Sequence, residues 1–334
     1  VPTEAQLLAW LGTQNPAAAQ REDSTYDARG QLQSRTTYTR LDAGGAGIAD
    51  GTEATETFVR DAFGRLLQTI SPTGAATSYA HDGLGRVLAV TDALGRITAT
   101  QYDDANRRTT LTQAGGLATT QVHDAAGRLI AFIESAAGTT LGETRYRYDA
   151  AGRLRMTQDP TGVRQWFFHD DAGRVVAEVD GNGTLTEYSF GRSGLLALTL
   201  VRGTAINTAA LVDATGAPIT TAALQALRPA GSAGDVATWN AYDAAGRLVR
   251  SAQSVGVGGA TAAVTEYRYD GASRLVQTVR YANLVSTANG AMTPGVVPLP
   301  TASSADRISR SFHGAQGRLI GSLGAGGYLT RVRY

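Results

Sequence analysis

The sequence predicts an all-β chain, a long antiparallel meander of β-hairpins. Three observations predict it. A core of the form Tyr-Asp-x-x-Gly-Arg-Leu returns at a 21-residue period. A second Gly-bearing turn falls midway between cores, as Asp159-Pro160-Thr161-Gly162 does, 10 residues after Asp149 and 11 before Asp170. Between turns, six or seven residues alternate, as in Thr144-x-Tyr146-x-Tyr148 and Thr186-x-Tyr188-x-Phe190. Alternation of β-branched and aromatic residues is the strand signal. A strict repeat overrides the two or three ordinary domains that 334 residues would suggest.

Residues 1–20 precede the repeat. Thr3 and Gln6 match a capping box, and Leu7, Leu8, Trp10 and Leu11 predict a short helix ending at Gly12. From residue 21 to 334 the chain reads as repeat. Eleven cores start at Asp27, Asp61, Asp82, Asp103, Asp124, Asp149, Asp170, Gly191, Asp243, Asp270 and Gly314; nine carry Asp first, nine Gly fourth and nine Arg fifth. From 61 to 191 the spacings are 21, 21, 21, 25, 21 and 21, which chance does not produce.

Each residue of the core has a turn-forming reason. An Asp at the first position bonds its own backbone two residues on, and Gly at the fourth accepts the positive φ that closes the hairpin. The structural turn residues are therefore Asp61, Gly64 and Arg65; Asp82, Gly85 and Arg86; Asp124, Gly127 and Arg128; Asp149, Gly152 and Arg153; Asp170, Gly173 and Arg174; and Asp243, Gly246 and Arg247. Asn106 stands where Gly is missing at 103–106, as the next residue to tolerate that conformation. Ser273 is a departure expected to strain or reshape its turn. Strands of six residues would be about 20 Å long at roughly 3.4 Å per residue. No helices alternate with the strands, which excludes a parallel α/β sheet.

Insertions break the frame at about 41–56, 135–142, 200–238 and 281–306. Thr220 to Arg228 in the third reads as a helical turn or two. The last two are expected either to plug a sheet edge or to project toward a partner. Counting 21 from Gly314 puts the next core at 335, one past Tyr334, so the chain is expected to be a piece of a longer protein truncated in mid-repeat.

Composition narrows the function classes. Net charge is +1, which supplies no field for nucleic acid or an anionic membrane. Cysteine is absent, removing disulfides, thiolate metal sites and cysteine nucleophiles. All 30 positive charges are arginine, which with abundant Ala and Gly suggests a GC-rich genome. No run of about 18 apolar residues spans a membrane. Aromatics at 7% are thin for a filled barrel and suit a single-layer sheet, hollow or open, with wet faces.

YDAAGRL at 148–154 and 242–248 and HDAAGRL at 123–129, on a 21-residue period, resemble the RHS/YD-repeat family. That family includes bacterial polymorphic toxins, cocoon-forming subunits of insecticidal toxin complexes, and teneurins. The resemblance covers about 26–334. It implies a strand-turn-strand unit whose curved or spiral sheet forms part of a hollow β-shell. It further implies a secreted or bacterial cell-surface protein, with further repeats and a C-terminal effector domain of the same chain as partners. The cores at Gly191, Ser273 and Gly314 depart from the pattern, so regular hairpins are not implied there.

Candidate chemistry is weighed against that frame. His81, His123, His169 and His313 all occupy the tyrosine slot before a core, which reads as aromatic substitution in a stack. His81 and His123, two repeats apart, would be about 19 Å apart at ~4.8 Å per strand, too far to share a metal. The recurring Asp and Arg read as turn chemistry, since a catalytic pair has no need of repetition. RHS shells end in an aspartyl-protease-like Asp-Pro-x-Gly segment that Asp159-Pro160-Thr161-Gly162 resembles superficially, but this tetrapeptide sits in the second-turn frame. Asp180-Gly181-Asn182-Gly183 lacks the spacer and Glu of an EF-hand loop. Gly256-Val257-Gly258-Gly259 lacks a following helix for a phosphate site. In Arg145-Tyr146-Arg147-Tyr148 and Tyr267-Arg268-Tyr269, alternation sends Tyr and Arg to opposite faces, which argues against a nucleic-acid surface. No catalytic, cofactor-binding or metal residues are assigned. The expectation is a non-enzymatic segment of a β-shell that encapsulates or presents an effector. The alternative is an adhesin binding glycans or cell-surface proteins through its insertions.

Overall fold

The computed structural model describes residues 3–11, 13, 20–256 and 259–333. Thr3 and Gln6 make the reciprocal bonds of a capping box: the Gln6 side chain accepts from the Thr3 amide at 2.9 Å and the Thr3 hydroxyl from the Gln6 amide at 3.3 Å. The helix α1 (Glu4–Leu11) follows. Its expected end at Gly12 lies outside the described residues, as do Val257 and Gly258.

The rest is the expected meander. The chain divides into two compact units, residues 1–143 and 144–334. In the first, each strand from Arg21–Tyr26 to Leu129–Ala136 pairs antiparallel with the next. In the second, the same holds from the strand ending at Tyr148 to Leu329–Arg331, with one departure. The short strand Val285–Ser286 folds back beside Thr261 and Ala262.

Every core turn except that at Asp103 has one construction. At Asp149 the backbone N–H donates to the Arg153 carbonyl at 2.9 Å, and the Gly152 N–H donates to the Asp149 carbonyl at 3.0 Å. Gly152 sits at φ 81°. This is a tight turn whose fourth residue is left-handed, a conformation that glycine adopts without steric cost. A β-bulge follows, because Tyr148 faces Leu154 while Arg147 faces Met156, leaving Arg155 as the extra residue.

The three departing cores keep regular hairpins. Gly191 and Gly314 close the same two backbone bonds without a side chain's help. Ser273 holds the glycine conformation itself, at φ 61°. The turn is strained rather than reshaped, because the flanking pairs fix its span. The core at Asp103 is the reshaped one. There Arg107, not Asn106, takes positive φ (53°), and Asp103 faces Arg108 with no bulge.

Residues 135–142 are the ends of two lengthened strands around an Ala137-Gly138 turn, both at positive φ. Residues 41–56 contain a further turn, in which the Asp42 carboxylate accepts from the Gly44 and Ala46 amides at 2.8 Å.

The second unit carries the described hydrophobic cores. Residues 200–238 fold onto one sheet face and bring Ile206, Leu211 and Leu224 against Met156, Trp166, Phe168, Ala177, Val179 and Leu185. Leu224 lies on α2 (Thr221–Leu227), capped by the Thr220 hydroxyl, which accepts from the Ala223 amide. Residues 281–306 do the same for Ala241, Ala252, Ala262, Val264 and Val279 through Tyr281, Met292 and Val297. Both insertions cover a face of the sheet rather than plugging its edge, because their apolar side chains pack on the strands' apolar side.

Candidate functional site: the Asp-Gly-Arg turn clasp

The residues that carry charge in every repeat are brought together at the core turns. At Asp61, Asp82, Asp124, Asp243 and Asp270, Oδ1 accepts from the amides two and four residues on, at 2.8–3.0 Å. Oδ2 takes the Nε–H of the arginine four residues on at 2.7 Å, and so do Asp149 and, at 2.8 Å, Asp170. One carboxylate thus saturates the turn and anchors its arginine. Asp92 makes the same clasp with Arg96 at a second turn.

The arginine has a second partner, in the next repeat. Arg65 Nη1 donates to the Asp82 carbonyl at 2.9 Å and Arg153 Nη1 to the Asp170 carbonyl at 2.7 Å. Arg86 reaches the Asp104 carboxylate through both terminal nitrogens, at 2.7 and 3.0 Å. Arg247 meets the Ser273 hydroxyl at 3.1 Å. The guanidinium also lies over the ring in the next repeat's aromatic slot: Arg86 over Tyr102 at 4.1 Å, Arg174 over Phe190 at 4.5 Å, Arg247 over Tyr269 at 5.0 Å. Stacking of this kind suits Arg far better than Lys. The tyrosine bonds backward. Tyr269 Oη donates to the Leu248 carbonyl at 2.9 Å and Tyr242 Oη to the Leu196 carbonyl at 3.0 Å. Tyr, Asp, Gly and Arg are therefore one device that closes a turn and staples it to the neighbours on either side.

The electrostatics fit that role. The Arg128 side chain, then its amide, holds the Asp124 carboxyl below its ordinary value. For Asp61 and Asp82 partial burial pushes upward, and the arginine bonds outweigh it. These carboxylates stay ionised and fully hydrogen-bonded, with no proton to donate near neutrality.

The other candidates are turns too. Asp159 Oδ1 accepts from the Thr161 amide (2.9 Å), the Thr161 hydroxyl (2.7 Å) and the Val163 amide (2.9 Å). Asp180 Oδ1 accepts from Asn182 and Thr184. Among the described residues, no group of three His, Asp or Glu side chains is arranged to hold a metal. No helix among the described residues is long and apolar enough to cross a membrane. A surface groove of about 590 Å³ lies between successive hairpins at Arg247, Glu266, Arg268 and Tyr269. A second, about 500 Å³, occupies the corresponding place one repeat on, at Arg274, Phe312 and His313. Recurrence marks both as spaces between repeats.

One cluster escaped the sequence reading. Arg202 pairs with Glu187 at 2.6 Å and Asp235 at 3.1 Å, Arg228 pairs with Glu187 at 2.5 Å, and Arg202 is only 10% exposed. Asp235 also accepts from the Gly203 amide and the Ser232 hydroxyl. The network ties both ends of the 200–238 insertion to the sheet. Nothing local announces it, since its members are 48 residues apart in sequence.

A family model described as RHS Repeat matches residues 60–97, 81–119 and 123–164. Within residues 60–164 the chain carries RHS repeats. Those RHS repeats coincide with the clasped turns at Asp61, Asp82, Asp124 and Asp149. No curated protein matches the chain in sequence. Among solved structures, TcdB2-TccC3 without its hypervariable C-terminal region is 15% identical over 94% of this chain and 20% of its own, with TM-score 0.35. A Photorhabdus luminescens Tc holotoxin pore is 16% identical over 91% of this chain and 20% of its own, TM-score 0.34. A porin-like protein from Bacteroides uniformis is 12% identical over 81% and 89%, TM-score 0.17. The chain spans about a fifth of the length of the two toxin-complex structures.

Proposed function

We propose that this chain is a non-enzymatic wall segment of a hollow β-shell in a larger secreted RHS-repeat polypeptide, and that the shell encloses or presents an effector domain of the same chain. The supporting observation is the clasp itself. The charged residues that recur in most repeats are engaged in closing turns and joining neighbouring repeats, so the segment's recurring chemistry serves to extend a sheet. The RHS repeats agree with this reading, and they make secretion the natural setting. Residues 21–334 act as that wall, with residues 1–20, which include helix α1 (Glu4–Leu11), as a lead-in, and the structural turn residues named above carry no catalysis. The insertions at 200–238 and 281–306 bury Ile206, Leu211, Leu224, Met292 and Val297 on the sheet, while Leu284, Val296 and Leu299 stay exposed on the second.

Limited proteolysis of the whole polypeptide tests this. A downstream effector domain is expected to resist protease until denaturant unfolds the repeats. Prompt release and digestion of that domain under native conditions would overturn the reading. A glycan array with signal on the isolated segment would favour the adhesin instead.

A further inference from the structure

The aromatic slot is the joint between repeats, and four of these joints hold histidine. A tyrosine there satisfies its polar end, as Tyr242 and Tyr269 do through carbonyls of the preceding repeat. Histidine is too short to make that bond. The Nδ1 atoms of His81, His169 and His313 are buried with no hydrogen-bond partner. Tyr102, Phe190 and Tyr269 lie beneath the preceding core's arginine, a position that suits a neutral ring and opposes a cationic one.

We infer that the histidine-filled joint at His169 is an acid-sensitive seam, closed when the imidazole is neutral and loosened when it takes a proton. The charges around the ring are unbalanced in that direction. The positive charges of Arg153, the preceding core's arginine, and Arg155, the bulge residue, act through space against a proton on it, and the carboxylates of Asp149 and Asp170 are already engaged by Arg153 and Arg174. The packed helix α2, whose Thr221 hydroxyl donates to the His169 carbonyl at 2.9 Å, carries no charged residue. Burial first, then Arg153 and Arg155, lower the proton affinity of His169 below the ordinary imidazole value.

The sign follows from linkage. The unfolded chain binds the proton more readily than the folded one, so the joint's stability is complete above about pH 6.5 and declines as pH falls below it. The same joint anchors the 200–238 insertion. Arg155 donates to the Phe167 carbonyl at 2.8 Å and to the Ile219 carbonyl. Loosening His169 therefore releases the strand Arg164–His169 and the insertion together.

Hydrogen exchange on the whole chain at pH 7.5 and pH 5.0, corrected for intrinsic rates, reads this directly. In that window the clasp carboxylates stay ionised. Amides of 164–169 and 206–227 are expected to lose protection several-fold at pH 5.0, while strands beside Tyr102 do not. His169→Tyr is expected to abolish the loss, and His169→Phe, which keeps the ring without a titrating group, to do the same. Equal loss in all three proteins would overturn the seam, and so would an NMR titration placing the His169 midpoint at or above the ordinary imidazole value. That titration uses the unmutated protein and stands even if a variant fails to fold.

Discussion

The two units are made from the same repeat and are held together differently. Among described residues of the first unit only Ala131 and Thr120 are buried, whereas the second buries Trp166, Phe168, Leu185, Val264 and others beneath its insertions. The contrast is written on one sheet face. The positions one and three before each aromatic slot are Ala80 and Ser78, Gln101 and Ala99, and Val122 and Thr120 in the first unit. They become Phe168 and Trp166 where the 200–238 insertion lands. The first unit's face is instead stitched by side-chain pairs across strands: Thr25 with Ser34 at 2.6 Å, Thr36 with Thr55 at 2.9 Å, and Thr110 with Thr120 at 2.9 Å. Such pairs contribute roughly 0.2–1 kcal/mol each, well under the 1.5–3 kcal/mol of a buried large apolar side chain. The clasped hairpin supplies geometry, and the insertions supply the core.

The strongest way to break this contrast is Phe168→Ala. It should cost about 3–5 kcal/mol of stability in the second unit, with hydrogen exchange in the first unit unchanged. A loss spread evenly over both would remove the distinction. Arg202→Met comes next. It leaves Glu187 and Asp235 facing each other at 13% and 15% exposure, and calorimetry should register a loss of about 3 kcal/mol. Ser273→Gly should stabilise by about 1 kcal/mol, because a left-handed L-residue costs roughly that much. A lower melting temperature in that variant would show the side chain's bond to Arg247 to matter more than the strain. The smallest effect concerns Thr110 and Thr120. Replacing both by valine should be nearly neutral, while Thr120→Val alone leaves a hydroxyl unpaired and should cost about 1 kcal/mol.

The clasp itself is common to both units and should be tested in both. Replacing Asp149 and Asp170 together by alanine should lower the melting temperature, and an unchanged melt would contradict the turn chemistry. Acid should act likewise. Folded-state values of the clasp carboxylates are lowered, so their contribution is complete above about pH 3.9 and is lost as pH falls through the lowered values. This transition lies well below the histidine window, and the two are separable in one titration.

How much was legible follows from the range of each interaction. The 21-residue period, the turn at each Asp-x-x-Gly and the alternating strands depend on residues within a few positions of one another, and the sequence alone determined them. The same logic extended further than it was taken. Asp42-x-x-Gly45 and Asp213-x-x-Gly216 were readable as turns inside the insertions, and went unread because no Tyr or Arg flanks them. The tertiary structure decided what lies across the sheet. Arg65 meets a carbonyl 17 residues on, Tyr269 one 21 residues back, and Arg155 one 64 residues away. Those distances are spanned by pairing and packing, which a local pattern does not encode. Thin aromatic content pointed to wet faces, and only the folded chain showed residues 206–227 covering Trp166 and Phe168.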